Sequence, residues 1–158
     1  MLKWKEYLIK INDRSYNIFN TVGLEESHLE IPQYLDAVKN AYILIQKLER
    51  QGGIDLLMFC MRASQLTATL QSNYRLFREF LCEKKVPIVM VITYLENELG
   101  EMDNWWRRNQ DILCHQQFRV DGHACITAIR GNCPEWYEES RTTIHNLVKE
   151  FTADGQRR

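Results

Sequence analysis

Two apolar runs separated by one amphipathic segment constrain the fold of this chain more than any other feature. The runs are residues 54–61 (Ile-Asp-Leu-Leu-Met-Phe-Cys-Met) and 87–93 (Pro-Ile-Val-Met-Val-Ile-Thr). Their near-continuous apolar character predicts strands buried on both faces, because a half-exposed antiparallel strand would alternate polar and apolar residues. The segment between them, about residues 69–84, is predicted to be a helix whose apolar stripe is Leu70, Tyr74, Phe77 and Leu81. A strand, a helix and a second strand in this order predict a parallel crossover and an α/β fold.

The chain before this crossover predicts a hairpin and a helix. Two short β-rich runs, residues 6–11 and 16–20, flank a polar turn, which is typical of an antiparallel hairpin. Pro32 opens the helix and Gly52-Gly53 ends it, because proline suits a first helical turn and glycine suits the residues after a last one. The predicted apolar face of this helix consists of Tyr34, Leu35, Val38, Tyr42, Ile45 and Leu48.

The chain after the crossover predicts two helices and one strand. Asp103 is placed to cap a helix that runs to about Cys114, residues 123–128 form the last strand, and Pro134 starts the closing helix. The predicted inner residues of the first of these helices are Trp105, Trp106, Ile112 and Leu113. The predicted inner residues of the closing helix are Ile144, Leu147, Val148 and Phe151.

Length, charge and cysteine content restrict the class of protein. A chain of 158 residues suits one domain, predicted over residues 1–153 with a disordered tail at 154–158. The net charge of -1 gives no global field for nucleic acid or for an anionic membrane, and no apolar run approaches the length of about 20 residues that a spanning helix needs. Five cysteines without dense pairing predict a reduced, cytoplasmic protein.

Two local sequence patterns suggest a zinc site and a nucleic-acid-binding site, but the residues favour a structural role for both. A zinc cluster from Cys114-His115, His123, Cys125 and Cys133 fits no standard ligand spacing, so these cysteines are predicted to lie in the core. The run Trp105-Trp106-Arg107-Arg108 suggests nucleic-acid binding. Two tryptophans at the start of an amphipathic helix are more often packing residues, and no nucleic-acid partner is predicted.

Thr93-Tyr-Leu-Glu96 is the first functional signal, because it directly follows the second apolar strand. Open α/β sheets bind ligands at the carboxyl ends of their parallel strands. A carboxylate there can accept hydrogen bonds from both the ring N–H and the exocyclic amine of guanine. Glu96 is therefore a candidate guanine acceptor, and the alternative is a solvent-exposed glutamate that starts a loop.

Four landmarks in order resemble the G domain of P-loop GTPases, and most closely uncharacterised fungal G-domain proteins. The landmarks are Asn20-Thr-Val-Gly23, Gly53-Ile-Asp-Leu-Leu, Val86-Pro-Ile-Val-Met-Val-Ile-Thr93-x-x-Glu96 and Ile126-Thr-Ala128. The resemblance covers about residues 6–150, and the ordered set is more specific than any single landmark. It implies a three-layer, Rossmann-like α/β fold with a mainly parallel sheet and an N-terminal antiparallel hairpin.

The resemblance also implies a set of nucleotide-binding positions: Asn20, Gly23, Thr93, Tyr94, Glu96, Thr127 and Ala128. Asn20–Gly23 stands where the family has its Asp-x-x-Gly phosphate and magnesium motif. Thr93–Glu96 stands where the family has Asn- or Thr-Lys-x-Asp for guanine. Thr127-Ala128 stands where a Ser-Ala backs the base.

Departures from the family weaken the phosphate side of this pocket. None of the seven glycines is followed by Lys, so the chain has no Gly-x-x-x-x-Gly-Lys-Ser/Thr loop, whose place, with the family's first strand, falls before Met1. Asn20 lacks the negative charge of the family's Asp, so magnesium binding is expected to be weak. Leu24 stands where Ras-like members of the family have a Gln that orients the attacking water. Tyr94 stands where the family has a Lys that packs over the base, and an aromatic ring can stack there instead.

Two classes of function remain open at this point. The first is a truncated or degenerate guanine-nucleotide-binding domain that binds GTP or GDP weakly, reads the base and has no catalytic or metal-binding residue. Hydrolysis of GTP by this chain is not expected. The second is a non-enzymatic module that uses a GTPase-like scaffold to bind a protein partner, and fold alone does not separate the two.

The absence of the family's first strand leads to a prediction about which strands of the sheet pair. In the family that strand lies between the strand that ends at Asn20 and the strand that begins at Ile54. Unpaired buried backbone groups cost about 1–3 kcal/mol each, so an open slot would be unfavourable. We expect these two strands to pair directly. The alternatives are that another chain inserts a strand or that the chain aggregates through the open slot.

Overall fold

The computed structural model describes residues 4–21, 31–64, 68–131 and 133–152. The chain divides into two compact units, Met1–Ile54 and Asp55–Arg158. The first unit holds a hairpin and a helix, and the second holds a parallel sheet with helices. Gly23, Leu24 and the tail at 154–158 lie outside the described residues, and the single domain predicted over residues 1–153 stays a prediction.

The hairpin of the first unit confirms the sequence prediction and is longer than predicted. Strand β1 (Trp4–Ile11) pairs antiparallel with strand β2 (Arg14–Thr21). Asn12 and Asp13 connect them with φ values of 49° and 67°. Two successive residues with positive φ form a type I′ turn, whose twist matches that of the flanking strands, and Asn and Asp tolerate this conformation better than most residues.

Helix α1 (Ile31–Arg50) follows in the same unit. Its buried residues are Ala37, Ala41, Leu44 and Ile45. The predicted apolar face was therefore partly wrong: Leu35 is 59% exposed and Tyr42 is 50% exposed, because the buried stripe runs through small alanines rather than through these larger side chains. The helix ends where predicted, since Gly52 and Gly53 adopt φ values of 111° and 93° that favour glycine.

The second unit contains the predicted parallel crossover. Strands β3 (Leu57–Arg62), β4 (Ile88–Thr93) and β5 (Gly122–Cys125) form a three-stranded parallel sheet in the order β3-β4-β5. Leu57 pairs with Ile88, and Val89 pairs with Gly122. The chain is thus a mixed α/β protein with a small antiparallel hairpin and a parallel sheet flanked by helices, consistent with a Rossmann-like fold.

The two apolar strands differ in burial. All residues of β4 from Ile88 to Ile92 are buried, as predicted. In β3 only Met61 is buried, while Met58, Cys60 and Arg62 are exposed, so the prediction that both faces of this strand are covered was wrong. Met58, Cys60 and Arg62 alternate along β3 and so lie on one face, which α4 covers at Val89 and Ala124 of the other two strands.

The crossover helix is shorter and less regular than predicted. Helix α2 (Ala68–Arg75) continues as a π-helical segment, Leu76–Leu81, and does not reach residue 84. It stops because Glu83 and Lys84 adopt left-handed φ values of 51° and 59°. A π-helix turns less per residue than an α-helix, so the predicted stripe at α-helical spacing continues only as far as Tyr74, the one member that is fully buried.

Two further helices complete the second unit: α3 (Asn104–His115) and α4 (Pro134–Thr152). On one face of the sheet, Tyr74 of α2 and Trp105 of α3 join Met90 and Ile92 in the main hydrophobic core. On the other face, Leu147, Ile144 and Phe151 of α4 pack against Val89 and Ala124, which confirms the predicted inner face of that helix. A Cβ at Gly122 would lie 2.9 Å from the Phe151 ring, so glycine permits this close contact between β5 and α4.

The predicted direct pairing between the strand that ends near Asn20 and the strand that begins near Ile54 was wrong. The strand pairs within the described residues are β1–β2, β3–β4 and β4–β5. A two-residue turn brings β1 to β2 at little entropic cost, whereas pairing of β2 with β3 has to close a much longer loop. Among the described helices, none is long and apolar enough to cross a membrane.

Candidate functional site at the carboxyl ends of the parallel strands

The loops after β4 and β5 bring two of the predicted guanine-binding residues together. Glu96 lies three residues beyond the end of β4, and Thr127 lies two residues beyond the end of β5. The predicted last strand extended to residue 128, but β5 ends at Cys125, so Thr127 and Ala128 are in the loop. Because parallel strands end at the same edge of a sheet, both loops emerge side by side.

Thr127 is the centre of a small hydrogen-bond network. Its side chain is buried, its backbone N–H donates to Ser140 Oγ at 3.0 Å, and its Oγ1 lies 3.1 Å from Glu96 Oε2. The same Oγ1 lies 3.1 Å from the carbonyl oxygen of Ile129, and one hydroxyl proton serves one acceptor at a time. When that proton points to Glu96, Thr127 donates to the carboxylate from one side.

A cavity of about 280 Å³ borders this pair. Its lining includes Glu96, Thr127, Arg130 and Trp136. Arg130 is engaged at its rim, since its guanidinium lies 5.2 Å from the centre of the Tyr137 ring and 3.8 Å from a Glu138 carboxylate oxygen. Asn97 and Cys133 also line the cavity, so it offers a carboxylate, a hydroxyl, an amide and an aromatic residue, a mixture that suits a flat ligand with hydrogen-bond donors on one edge.

Three other predicted nucleotide-binding residues, Thr93, Tyr94 and Ala128, are not among the described residues that line this cavity. Thr93 Oγ1 donates to the carbonyl oxygen of Met61 at 3.3 Å. Tyr94 has a φ of 64°, is 57% exposed and has the Arg62 guanidinium 4.7 Å from its ring centre. Ala128 is exposed beside Thr127. Asn20 is an exposed residue of β2 in the first unit, and Gly23 lies outside the described residues.

A second polar cluster lies between β5 and the start of α3, and sequence reasoning missed it. Asp103 Oδ1 lies 2.8 Å from His123 Nε2, and ligand atoms of Asp103, His123 and Cys125 all lie within 4.8 Å of one another. The Trp106 and His123 rings stack at 4.1 Å with an interplanar angle of 6°. Asp103 and His123 are 20 residues apart in the sequence, and no motif links residues at this spacing, so only the tertiary structure reveals this cluster.

The structure tests the predicted capping role of Asp103 and the predicted burial of Cys125 and Cys114. Asp103 occupies the N-cap position of α3 but makes no side-chain cap hydrogen bond, so the predicted capping role was wrong. Cys125 is buried, as predicted, and burial raises the pKa of its thiol to about 12, with the negative charge of Asp103 acting in the same direction. Cys114 is exposed, so the prediction that it lies in the core was wrong.

The tryptophan and arginine run at the start of α3 has a structural role. Trp105 is 6% exposed, and its Nε1 donates to the carbonyl oxygen of Ala63 at 3.1 Å. Arg107 lies 3.2 Å from a carboxylate oxygen of Glu101, and Arg108 forms an ion pair with Glu98. The predicted packing of Trp105 is confirmed. Its companion Ile112 is 50% exposed, so that part of the predicted inner face was wrong.

Comparison with solved structures finds the same fold in a crystal structure of a glycine-to-serine variant of a protein called SsGBP. The match has a TM-score of 0.61 and 18% sequence identity, and it covers 96% of this chain and 48% of that chain. This chain therefore spans about half the length of the protein it matches. At this identity the likeness shows the α/β fold alone. No family model and no curated protein matches the sequence.

Proposed function

We propose that this chain is a guanine-binding, GTPase-like domain that retains the base-recognition side of the pocket and does not hydrolyse GTP. The observation that carries the proposal is the position of Glu96, whose carboxylate oxygen lies 3.1 Å from Thr127 Oγ1 at the border of a cavity at the carboxyl ends of β4 and β5. A neighbouring hydroxyl that orients a carboxylate reduces the cost of ordering it when a ligand donates hydrogen bonds to it.

The chemistry of guanine matches this arrangement. Its ring N–H and exocyclic amine are adjacent donors, and an ionised carboxylate has acceptor sites for both in addition to its bond with Thr127. Adenine presents a ring nitrogen that accepts rather than donates at the corresponding position, so the same carboxylate disfavours it. The cavity, at about 280 Å³, lies just below the usual range for small-molecule sites of roughly 300–1,000 Å³. It suits a base better than a complete nucleoside triphosphate.

Trp136 takes the stacking role in this proposal. The sequence pattern suggested Tyr94, but the Tyr94 ring is occupied by the Arg62 guanidinium, whereas Trp136 borders the cavity. An indole offers a larger aromatic face than a phenol, and base stacking on an aromatic side chain contributes about 1–3 kcal/mol per base.

Binding is expected to be weak and insensitive to phosphate. The chain has no glycine followed by lysine, and the cation nearest the cavity, Arg130, already contacts Tyr137 and Glu138. Each charge-assisted hydrogen bond to a phosphate contributes about 1.5–3 kcal/mol, so losing several shifts a tight site toward the millimolar range.

Calorimetric titration with guanosine, GTP and adenosine tests the proposal. We expect guanosine and GTP to bind with similar, roughly millimolar dissociation constants, and adenosine to bind at least tenfold more weakly. Glu96→Gln should abolish guanosine binding, because its amide presents a donor to guanine's donors. Glu139→Ala removes an exposed carboxylate on α4 and is the matched control, which should bind like wild type.

Two results would contradict the proposal. One is micromolar GTP binding that Glu96→Gln leaves unchanged, and the other is equal binding of guanosine and adenosine. If no nucleoside binds, the protein-interaction module on a GTPase-like scaffold becomes the better interpretation.

A hydrolysis assay tests the non-enzymatic part separately. We expect no phosphate release from GTP above a protein-free control, because the chain lacks a phosphate loop and a charged residue at position 20. Steady release by the purified protein that Asn20→Ala abolishes would overturn this expectation.

A further inference from the structure

The cluster of Asp103, His123 and Cys125 combines three side chains of the types that bind zinc. Imidazole nitrogen, thiolate sulfur and carboxylate oxygen are all zinc ligands, and a thiolate with an imidazole selects zinc over magnesium or calcium. We infer that these three residues form a zinc site, independent of guanine binding, with a fourth coordination position open to water.

The distances require only a small rearrangement. Tetrahedral zinc with bonds of about 2.0–2.3 Å places its ligand atoms roughly 3.3–3.8 Å apart. The three ligand atoms here all lie within 4.8 Å of one another, and His123 Nε2 lies 2.8 Å from Asp103 Oδ1. A metal ion that replaces this hydrogen bond moves the two atoms apart by about half an ångström.

The backbone places the ligands on one side of the sheet. His123 and Cys125 are two residues apart in β5, and side chains at this spacing point to the same face of a strand. Asp103 comes from the start of α3, which packs on that face through Trp105. The positions of β5 and of the N-terminus of α3 therefore bring the three side chains together.

Two independent features favour a ligand role for these side chains. Asp103 sits at a helix N-cap, where a carboxylate normally accepts a backbone N–H, yet it makes no such bond and faces His123 instead. The Trp106 ring stacks on His123 at 4.1 Å and fixes the orientation of the imidazole, as supporting contacts do in metal sites.

The charges balance when the ion binds. The Cys125 thiol releases its proton to solvent, His123 ligates as neutral imidazole, and the thiolate with the Asp103 carboxylate neutralises the two positive charges of zinc. The Arg107 guanidinium, 3.9 Å from Asp103 Oδ2, is a competing cation and has a second partner in Glu101. The side chains of Asp103 and His123 are 45% and 28% exposed, so an ion can enter from solvent and retain a water.

Cobalt(II) titration of the full chain under reducing conditions tests the site, because a thiolate on tetrahedral cobalt gives a charge-transfer absorption. We expect this band in wild type, its displacement by zinc, and quenching of tryptophan fluorescence as cobalt binds beside Trp106. Cys125→Ser should lose the band. Cys114→Ser, which alters an exposed cysteine next to His115, is the matched control and should retain it.

Asp103→Asn supplies a second test that does not depend on changing a buried residue. It keeps a hydrogen-bonding group beside His123, removes the negative charge, and should weaken cobalt binding at least about tenfold. Thermal unfolding gives an additional readout, since zinc should raise the midpoint of wild type and of Cys114→Ser but not that of Cys125→Ser. The inference is overturned if wild type shows no thiolate band at saturating cobalt, if Cys125→Ser retains the band, or if Asp103→Asn binds cobalt as tightly as wild type.

Discussion

Strand β4 and the β1–β2 hairpin are both β structure, but different forces stabilise them. Five of the six residues of β4 are buried, and the strand pairs with β3 on one side and β5 on the other. In the hairpin only Ile11 is buried, and Leu8 is 72% exposed. Apolar burial thus dominates the stability of β4, while the hairpin depends more on its turn and its local hydrogen bonds.

Truncation of a core side chain in β4 should give the largest effect. Ile92 is 0% exposed, so Ile92→Ala is expected to lower the free energy of unfolding by about 2–5 kcal/mol through lost burial and a cavity. Leu8→Ala in β1 is the matched change at an exposed position and should cost less than about 0.5 kcal/mol. Urea denaturation measures both, and equal losses would show that the hairpin shares the apolar stabilisation of the core.

Removal of the Tyr74 hydroxyl should also lower the free energy of unfolding, but by less than the core truncation does. Tyr74 is 1% exposed, and its hydroxyl donates to the carbonyl oxygen of Arg119 and accepts from the Arg119 N–H at 2.7 Å and from Arg78 Nη1 at 2.8 Å. Tyr74→Phe leaves the part-buried Arg119 N–H without this acceptor, while the Arg119 carbonyl keeps its bond from Arg78, and should cost about 1–3 kcal/mol. Tyr42→Phe, at a half-exposed tyrosine bonded to Gln46, should cost less than about 0.5 kcal/mol.

Urea denaturation of the two tyrosine variants also separates the two regions. If Tyr42→Phe is as costly as Tyr74→Phe, the polar contacts of α1 are as important to stability as those beneath the parallel sheet, and the contrast between the units fails.

A change in the hairpin turn should give the smallest effect and the opposite sign. Asp13 has a φ of 67°, a conformation that glycine adopts without strain, and Asn-Gly is the preferred sequence of a type I′ turn. Asp13→Gly is expected to stabilise the hairpin by up to about 1 kcal/mol. Amide hydrogen exchange checks this locally, with slower exchange in β1 and β2 and no change in β4. Faster exchange in the hairpin would contradict the turn assignment.

Patterns that report local conformation predicted the fold well. The apolar run of β4, the polar turn between β1 and β2, and the proline and glycine boundaries of the helices depend on nearby residues, so the sequence displays them directly. Burial of individual faces was predicted less well. Leu35 and Ile112 are apolar residues at helical spacing, yet they are more exposed than expected because neighbouring elements cover a different stripe.

The two candidate sites also differ in how far the sequence predicted them. The proximity of Glu96 and Thr127 was predictable, since each follows a strand of one parallel sheet and such strands end at a common edge. The contact of Asp103 with His123 was not, because it depends on how far α3 lies along the sheet and on which way each side chain turns.

The sequence alone determined the order of strands and helices, the parallel crossover and the edge of the sheet at which Glu96 and Thr127 meet. These features follow from hydrophobic periodicity and turn chemistry, which act over a few residues. Only the tertiary structure decided that β3 is half exposed, that Asp103 faces His123 and Cys125 instead of capping α3, and that Trp136 rather than Tyr94 borders the cavity. Such contacts join residues far apart in the chain, and their geometry is set by the packing of whole elements, which no local pattern encodes.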